Sequence, residues 1–135
     1  MTDNSSLNRK NLTDSVKAIA TGSISSKSLI GQYLNQIKEL NPSLNAFIRV
    51  LESEALSAAA SADKAITEGQ PLGRLHGVPI AIKDQVHTKG VNTTSASQIR
   101  SDFIPDQDAT IVSRLKDAGG IIIGKLNMTE FAMGD

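Results

Sequence analysis

Val78-Pro79-Ile80-Ala81-Ile82-Lys83 runs directly into a long polar stretch, Asp84 to Ser101, and further along Gly119-Gly120 leads into Ile121-Ile122-Ile123. The first run is short, apolar and β-branched, and its early proline places it at a strand start or a sheet edge. The second reads as a strand buried on both faces. Along Ile80 to Lys83 the period of two puts the isoleucines on one face and Lys83 beside Ala81 on the other. Between the two strands, Asp108 is predicted to cap a helix carrying Ile111, Val112, Leu115 and Ala118 on one face and ending at Gly119-Gly120.

Upstream, Gly69-Gln70-Pro71-Leu72-Gly73 is loop chemistry, preceded by an Ala-rich helix from Glu52 to Glu68 and a strand from Ala46 to Leu51. Residues 11–41 are helical in pattern, with Leu29, Tyr33, Ile37 and Leu40 on one face behind the capping candidates Ser25-Ser26. They divide into two helices broken near Gly22. Asn41-Pro42 is predicted to stop the second, because a residue before proline is pushed out of the α region. Downstream, Asn127 with Glu130 three residues on forms a capping-box-like helix start. That helix would have only two turns before Asp135, and nothing later in the chain would cover the isoleucine strand. The expectation is therefore an incomplete polypeptide with sticky apolar surface.

Composition narrows the chemistry. The 135 residues match one domain, with 39% hydrophobic and 21% charged residues, so a soluble globular class is expected. Lys plus Arg and Asp plus Glu balance at 14 each and aromatics are only 3%, which argues against a direct nucleic-acid surface. No run is long enough for a membrane span, and Met1 to Leu12 is polar where a signal peptide has its apolar core. A cytoplasmic protein without membrane contact is expected. With no cysteine in the chain, thiolate nucleophiles, disulfides and cysteine zinc sites are excluded.

Among possible functional residues, Lys83 stands out at the C-terminal end of a strand, leading into a loop longer than a plain connection needs. Most such lysines are solvated terminal charges. The functional alternative is a lysine desolvated enough to act as a neutral base. Asp84 and His87 form an Asp-x-x-His pair, but a metal site would need further ligands, and the only other histidine is His76. A Ser-His-Asp arrangement of His87 with Ser95 or Ser97 is an alternative that outranks a metal role, though ordinary loop residues remain the expected reading. Gly119-Gly120 follows a helix and precedes a strand, the reverse of a phosphate cradle, so these glycines read as a helix C-cap.

Taken in order, Leu75-His76-Gly77-Val78-Pro79-Ile80-Ala81-Ile82-Lys83-Asp84, Thr88-Lys89-Gly90 and Thr93-Thr94-Ser95 resemble the first signature block of the amidase signature family. The resemblance continues through Asp108-Ala109-Thr110-Ile111-Val112, Ala118-Gly119-Gly120, Gly124-Lys125-Leu126-Asn127-Met128 and Glu130-Phe131-Ala132, and covers nearly the whole chain. It implies an α/β fold, the N-terminal part of a mixed β-sheet flanked by helices. Residues 1–44 would form a helical N-terminal region, and residues 45–135 the start of the sheet core. It also implies a Ser-cisSer-Lys triad that cleaves carboxamide C–N bonds through an acyl-enzyme, with no cofactor and no metal. Lys83 falls at the triad-lysine position, and both serines would lie beyond Asp135. Ser95 and Ser97 are outside any Gly-Gly-Ser-Ser type run and do not replace them.

On this resemblance the 135 residues are expected to be inactive alone. In a complete enzyme the substrate would be a small amide. Leu75-His76-Gly77 and Asp84-Gln85 look more like general amidases. Phe131-Ala132-Met133-Gly134 looks more like the A subunit of glutamyl-tRNA amidotransferase, which would add partner amidotransferase subunits. The reading leans to the amidase, and a non-catalytic binding domain on the same scaffold remains a third possibility.

Overall fold

A computed structural model of the chain describes residues 11–134, so the polar start of the sequence lies outside the described residues except for its last two positions. The elements are α1 (Leu12–Ala20), α2 (Ser26–Leu44), β1 (Phe47–Val50), α3 (Glu52–Thr67), β2 (Pro79–Lys83), α4 (Thr110–Asp117) and β3 (Ile121–Leu126), with short 3-10 turns at Gln98–Arg100 and Glu130–Ala132.

Local chemistry explains most boundaries. Asn11 caps α1 by accepting from the Asp14 amide at 2.9 Å, and Ser25 caps α2 by accepting from Ser28 at 3.0 Å. α2 has a second, distant cap, since Asp63 of α3 accepts from the Ser26 and Lys27 amides at 2.6 and 3.0 Å. That carboxylate at the N-terminus fixes α3 against α2 as it satisfies two orphan donors. The helix does not stop at Asn41-Pro42 as expected but runs through to Leu44. Pro42 removes one donor in a last turn whose residues 42–44 are exposed. The actual stop is Asn45 at φ 50°, a left-handed residue whose amide bonds back to the Asn41 carbonyl. The Asn41 side chain then pairs with both backbone groups of Phe47, turning the chain into β1.

The three strands form one sheet in the order β1-β3-β2, with β1 antiparallel and β2 parallel to the central β3. Pro79 begins an edge strand, as its missing N–H requires. One sheet face packs on α2 and α3 through Ile30, Leu34, Ala55, Ala59, Ile121 and Ile123; the other gathers Leu51, Ile82 and Ile122 under Val112 of α4. The isoleucine strand is thus buried on both faces by this chain's own helices. This corrects the expectation that Ile121–Ile123 would be uncovered; among the described residues the most exposed large apolar side chains are instead Ile99, Met133 and Leu44.

Three further expectations change. Asp108 does not cap α4; Ala109 occupies the cap position, while Asp108 accepts from the Lys89 amide and from Lys116 Nζ, each at 2.7 Å. Ile111 is exposed, and Val112 carries the helix's burial by packing with Leu51, Ile82 and Ile122. Beyond β3 no helix starts at Asn127. Its Oδ1 accepts from the adjacent Met128 amide, and the chain makes only the 3-10 turn around Phe131 and Ala132, at φ 49° and 58°. Gly119 does end α4 as read, at φ 89°, where an added Cβ would sit 2.8 Å from His76 Cα.

Candidate active site

Lys83 closes β2, and its neighbour across the parallel ladder region is the end of β3. Ile80 pairs with Ile122, but Ala81 pairs with Gly124, so Ile123 is an extra residue, a bulge on β3. By strict alternation Lys125 would share the face of Ile121 and Ile123. The bulge reverses this, making Lys125 the register partner of Ile82 on the α4 face. Lys83, one residue past Ile82, takes the opposite face. Gly124 is required where the strands close in, since a Cβ there would lie 2.5 Å from the Arg49 carbonyl oxygen.

The two lysines therefore meet different surroundings. Lys83 is exposed, and its Nζ donates a hydrogen bond to the Asn127 carbonyl at 3.0 Å. It borders a depression of about 530 Å³ lined also by Gln85, Asn127, Met128, Thr129 and Ala132. Lys125 is 0% exposed and donates to the Val86 carbonyl at 2.6 Å, to Thr93 Oγ1 at 3.0 Å and to Thr88 Oγ1 at 3.1 Å. The two hydroxyls donate their own protons to the Val91 and Val86 carbonyls, so their lone pairs face the ammonium. Burial pushes the Lys125 pKa down to about 8, opposed by the Asp84 carboxylate and assisted by the Arg49 guanidinium. The desolvated lysine is thus Lys125, while Lys83 is solvated.

Asp84 is also buried and organises the loop that Lys125 holds. Its amide donates to the Leu126 carbonyl and its carbonyl accepts from the Ser95 amide, both at 3.1 Å. Oδ2 accepts from the Thr94 amide at 2.9 Å and from Thr94 Oγ1 at 2.5 Å, and Oδ1 has no hydrogen-bond partner among the described residues. The loop then passes through Ser95 and Ala96, both at φ 55°, a conformation unfavourable for residues with a Cβ. It is braced by the second left-handed pair, since the Phe131 amide donates to the Ser95 carbonyl and Ser97 Oγ donates to Glu130 at 2.6 Å.

A family model described as Amidase matches residues 28–135. The chain belongs to the amidase family. Among its curated relatives, the A subunit of glutamyl-tRNA(Gln) amidotransferase from Alkaliphilus metalliredigens is 50% identical over 108 residues, 80% of this chain and 22% of the relative. Its counterpart from Prochlorococcus marinus is 48% identical over 116 residues, 86% of this chain and 24% of the relative. The native peptide amidase of Stenotrophomonas maltophilia superposes with a TM-score of 0.85 at 33% identity, covering 91% of this chain and 26% of that structure. The chain thus spans about a quarter of the length of the relatives it matches.

Within this amidase-family chain the residues weighed from sequence separate. His87 is exposed and turned from Asp84 toward Arg100, whose guanidinium lies over the Phe103 ring and 3.1 Å from His87 Nε2. Arg has no acceptor, so the guanidinium is the donor in this contact. Ser95 Oγ accepts from Arg100 at 3.4 Å and Ser97 is committed to Glu130, so neither pairs with His87 as a nucleophile would. His76 bonds the Ala62 carbonyl, a structural contact. No three metal-ligating side chains come together among the described residues. The sequence reading missed Lys125; its signal was a charge directly following an apolar run in Ile121-Ile122-Ile123-Gly124-Lys125.

Proposed function

We propose that this chain carries the general base of an amide hydrolase using a Ser-cisSer-Lys triad, with Lys83 as the lysine. The observation that carries the reading is the placement of Lys83 at the C-terminal end of β2, its Nζ anchored by a single hydrogen bond beside the 530 Å³ depression. A neutral amine there would take the proton of a bridging serine, which takes the proton of the nucleophilic serine. The serine oxygen then bonds to the amide carbon. Collapse of the adduct breaks the C–N bond, the departing nitrogen gains the proton, and water cleaves the acyl ester.

A free lysine amine needs a pKa well below 10.4 to work at neutral pH, and in this chain Lys83 is exposed. Supply of both serines and of the cover that would desolvate Lys83 is assigned to the remaining length of a protein the size of its relatives. On this reading residues 1–44, of which 1–10 lie outside the described residues, are the N-terminal region, and residues 45–135 the start of a single domain's sheet core. No helix among the described residues is long and apolar enough to cross a membrane. The proposed enzyme acts in the cytoplasm on a small amide.

The names of the curated relatives favour a second reading within the same chemistry: the amide is glutamine, and the released ammonia passes to an acyl group on tRNA with the help of partner amidotransferase subunits. Ammonia release by a protein extending over the relatives' full length tests the first claim. Lys83→Ala should abolish it and His87→Ala should keep most of it; the opposite pattern overturns the assignment of Lys83. Glutamine preference over acetamide would select the second reading.

A further inference from the structure

Lys125 is a fully buried ammonium that the proposed chemistry does not use, yet it is wired to the segment that leaves Lys83. The Val86 amide donates to the Lys83 carbonyl at 3.0 Å, and the Val86 carbonyl accepts from Lys125 at 2.6 Å. Lys125 therefore holds closed the turn that immediately follows Lys83. Its other two protons reach Thr88 and Thr93, at opposite ends of the span that closes on Asp84 through Thr94. All three ammonium protons are used, and no direct carboxylate contact is among them, so the ion is neutralised by loop dipoles and the nearby Asp84 charge. An ordinary structural position at the end of a buried strand would be filled by an apolar side chain, which carries no desolvation cost.

We propose that Lys125 is a positioning residue for Lys83: through Val86, Thr88 and Thr93 its ammonium pins the loop that follows Lys83 across the ends of β2 and β3, fixing the direction in which Lys83 leaves the sheet. The proposal rests on the reading of Lys83 as the base only for its consequence in catalysis; the pin itself is a property of this chain. Lys125 acts through the turn and touches no reacting atom.

The test uses the 135-residue chain and reads positions, not turnover. Amide hydrogen exchange is measured in the unaltered chain, in Lys125→Met and in Thr93→Val. In parallel, trace acetylation of every lysine is quantified by mass spectrometry, with exposed Lys64 as the internal standard. Loss of charged hydrogen bonds should speed exchange of the Val86, Thr94 and Ser95 amides by about ten- to hundredfold in Lys125→Met, and less in Thr93→Val. The Ile122 and Leu126 amides should stay protected, and the acetylation rate of Lys83 relative to Lys64 should change.

Because the chain contains no cysteine, Lys125→Cys can be aminoethylated under denaturing conditions and refolded, which restores a lysine-like ammonium. Recovery of loop protection and of Lys83 reactivity in that product supports positioning by the charge. The proposal is overturned if Lys125→Met leaves loop exchange and Lys83 acetylation unchanged. Equal acceleration of strand and loop amides overturns it too, since Lys125 would then act only on global stability. If Lys125→Met does not fold, Thr93→Val decides on the same readouts. An enzyme of full length that tolerates Lys83→Ala would refute the base assignment and leave this result standing.

Discussion

Lys83 and Lys125 end neighbouring parallel strands one register step apart, yet one is solvated and the other is sealed from water. The difference comes from a single bulged residue. Ile123 adds one position to β3, which swings Lys125 to the face where the loop of residues 84–97 crosses, and that loop offers a carbonyl and two oriented hydroxyls. Lys83, on the other face, finds one carbonyl and open space. A lysine's chemistry is thus set less by its strand than by what the next loop places above it.

The comparison can be broken first at the level of catalysis. In a protein of full relative length, Lys83→Ala should cost about a thousandfold or more in amide cleavage, the size expected for removing a general base, measured as ammonia release. Retention of most activity would remove the functional half of the contrast.

The next largest effect is a pH dependence belonging to Lys125 alone. Its pKa is about 8 when folded and ordinary, near 10.5, when unfolded. Between these values the unfolded chain binds more protons, so the free energy of unfolding should rise with pH, by about 3 kcal/mol across the window. Below pH 8 the charged lysine is buried at full cost. The charges facing it are Asp84, Arg49 and Asp108, of which the acids favour the ammonium and Arg49 opposes it. Urea titrations from about pH 7.5 to 10.5 should show this rise in the unaltered chain and not in Lys125→Met; parallel curves would deny that Lys125 is the buried titrating group.

At neutral pH, Lys125→Met should destabilise by about 2 kcal/mol, because three acceptors lose a donor while the cost of burying the charge is relieved. Chemical denaturation measures the difference. The smallest expected effect sharpens the contrast from the other side: Lys83→Met should change stability by less than about 0.5 kcal/mol, as an exposed side chain with one hydrogen bond. A larger loss would mean that the bond to Asn127 holds the strand ends together.

Much of the fold was legible because its signals are local. The strands at residues 46–51, 78–83 and 121–123 follow from short β-branched runs, α3 from its alanines and Gly69, and the end of α4 from Gly119, all at or near their predicted places. Lys83 could be singled out by position and by its signature context. What misled was also local. Asn41-Pro42 looked like a stop, Asp108 like a cap and Asn127 with Glu130 like a helix start, but each side chain or backbone was engaged elsewhere: Asn41 by Phe47, Asp108 by Lys89 and Lys116, Glu130 by Ser97.

The sequence by itself determined the order of helices and strands as far as β3, the family and the lysine at the end of β2, because periodicity, turn residues and motif spacing act between near neighbours in the chain. Only the tertiary structure decided that Ile123 bulges, that Asp63 caps a helix far from it in sequence, and that Lys125 and not Lys83 is the buried ammonium in this chain. Those outcomes depend on which distant groups arrive above a given side chain. Desolvation and hydrogen bonding are fixed by that arrival, and no window of neighbouring residues contains it.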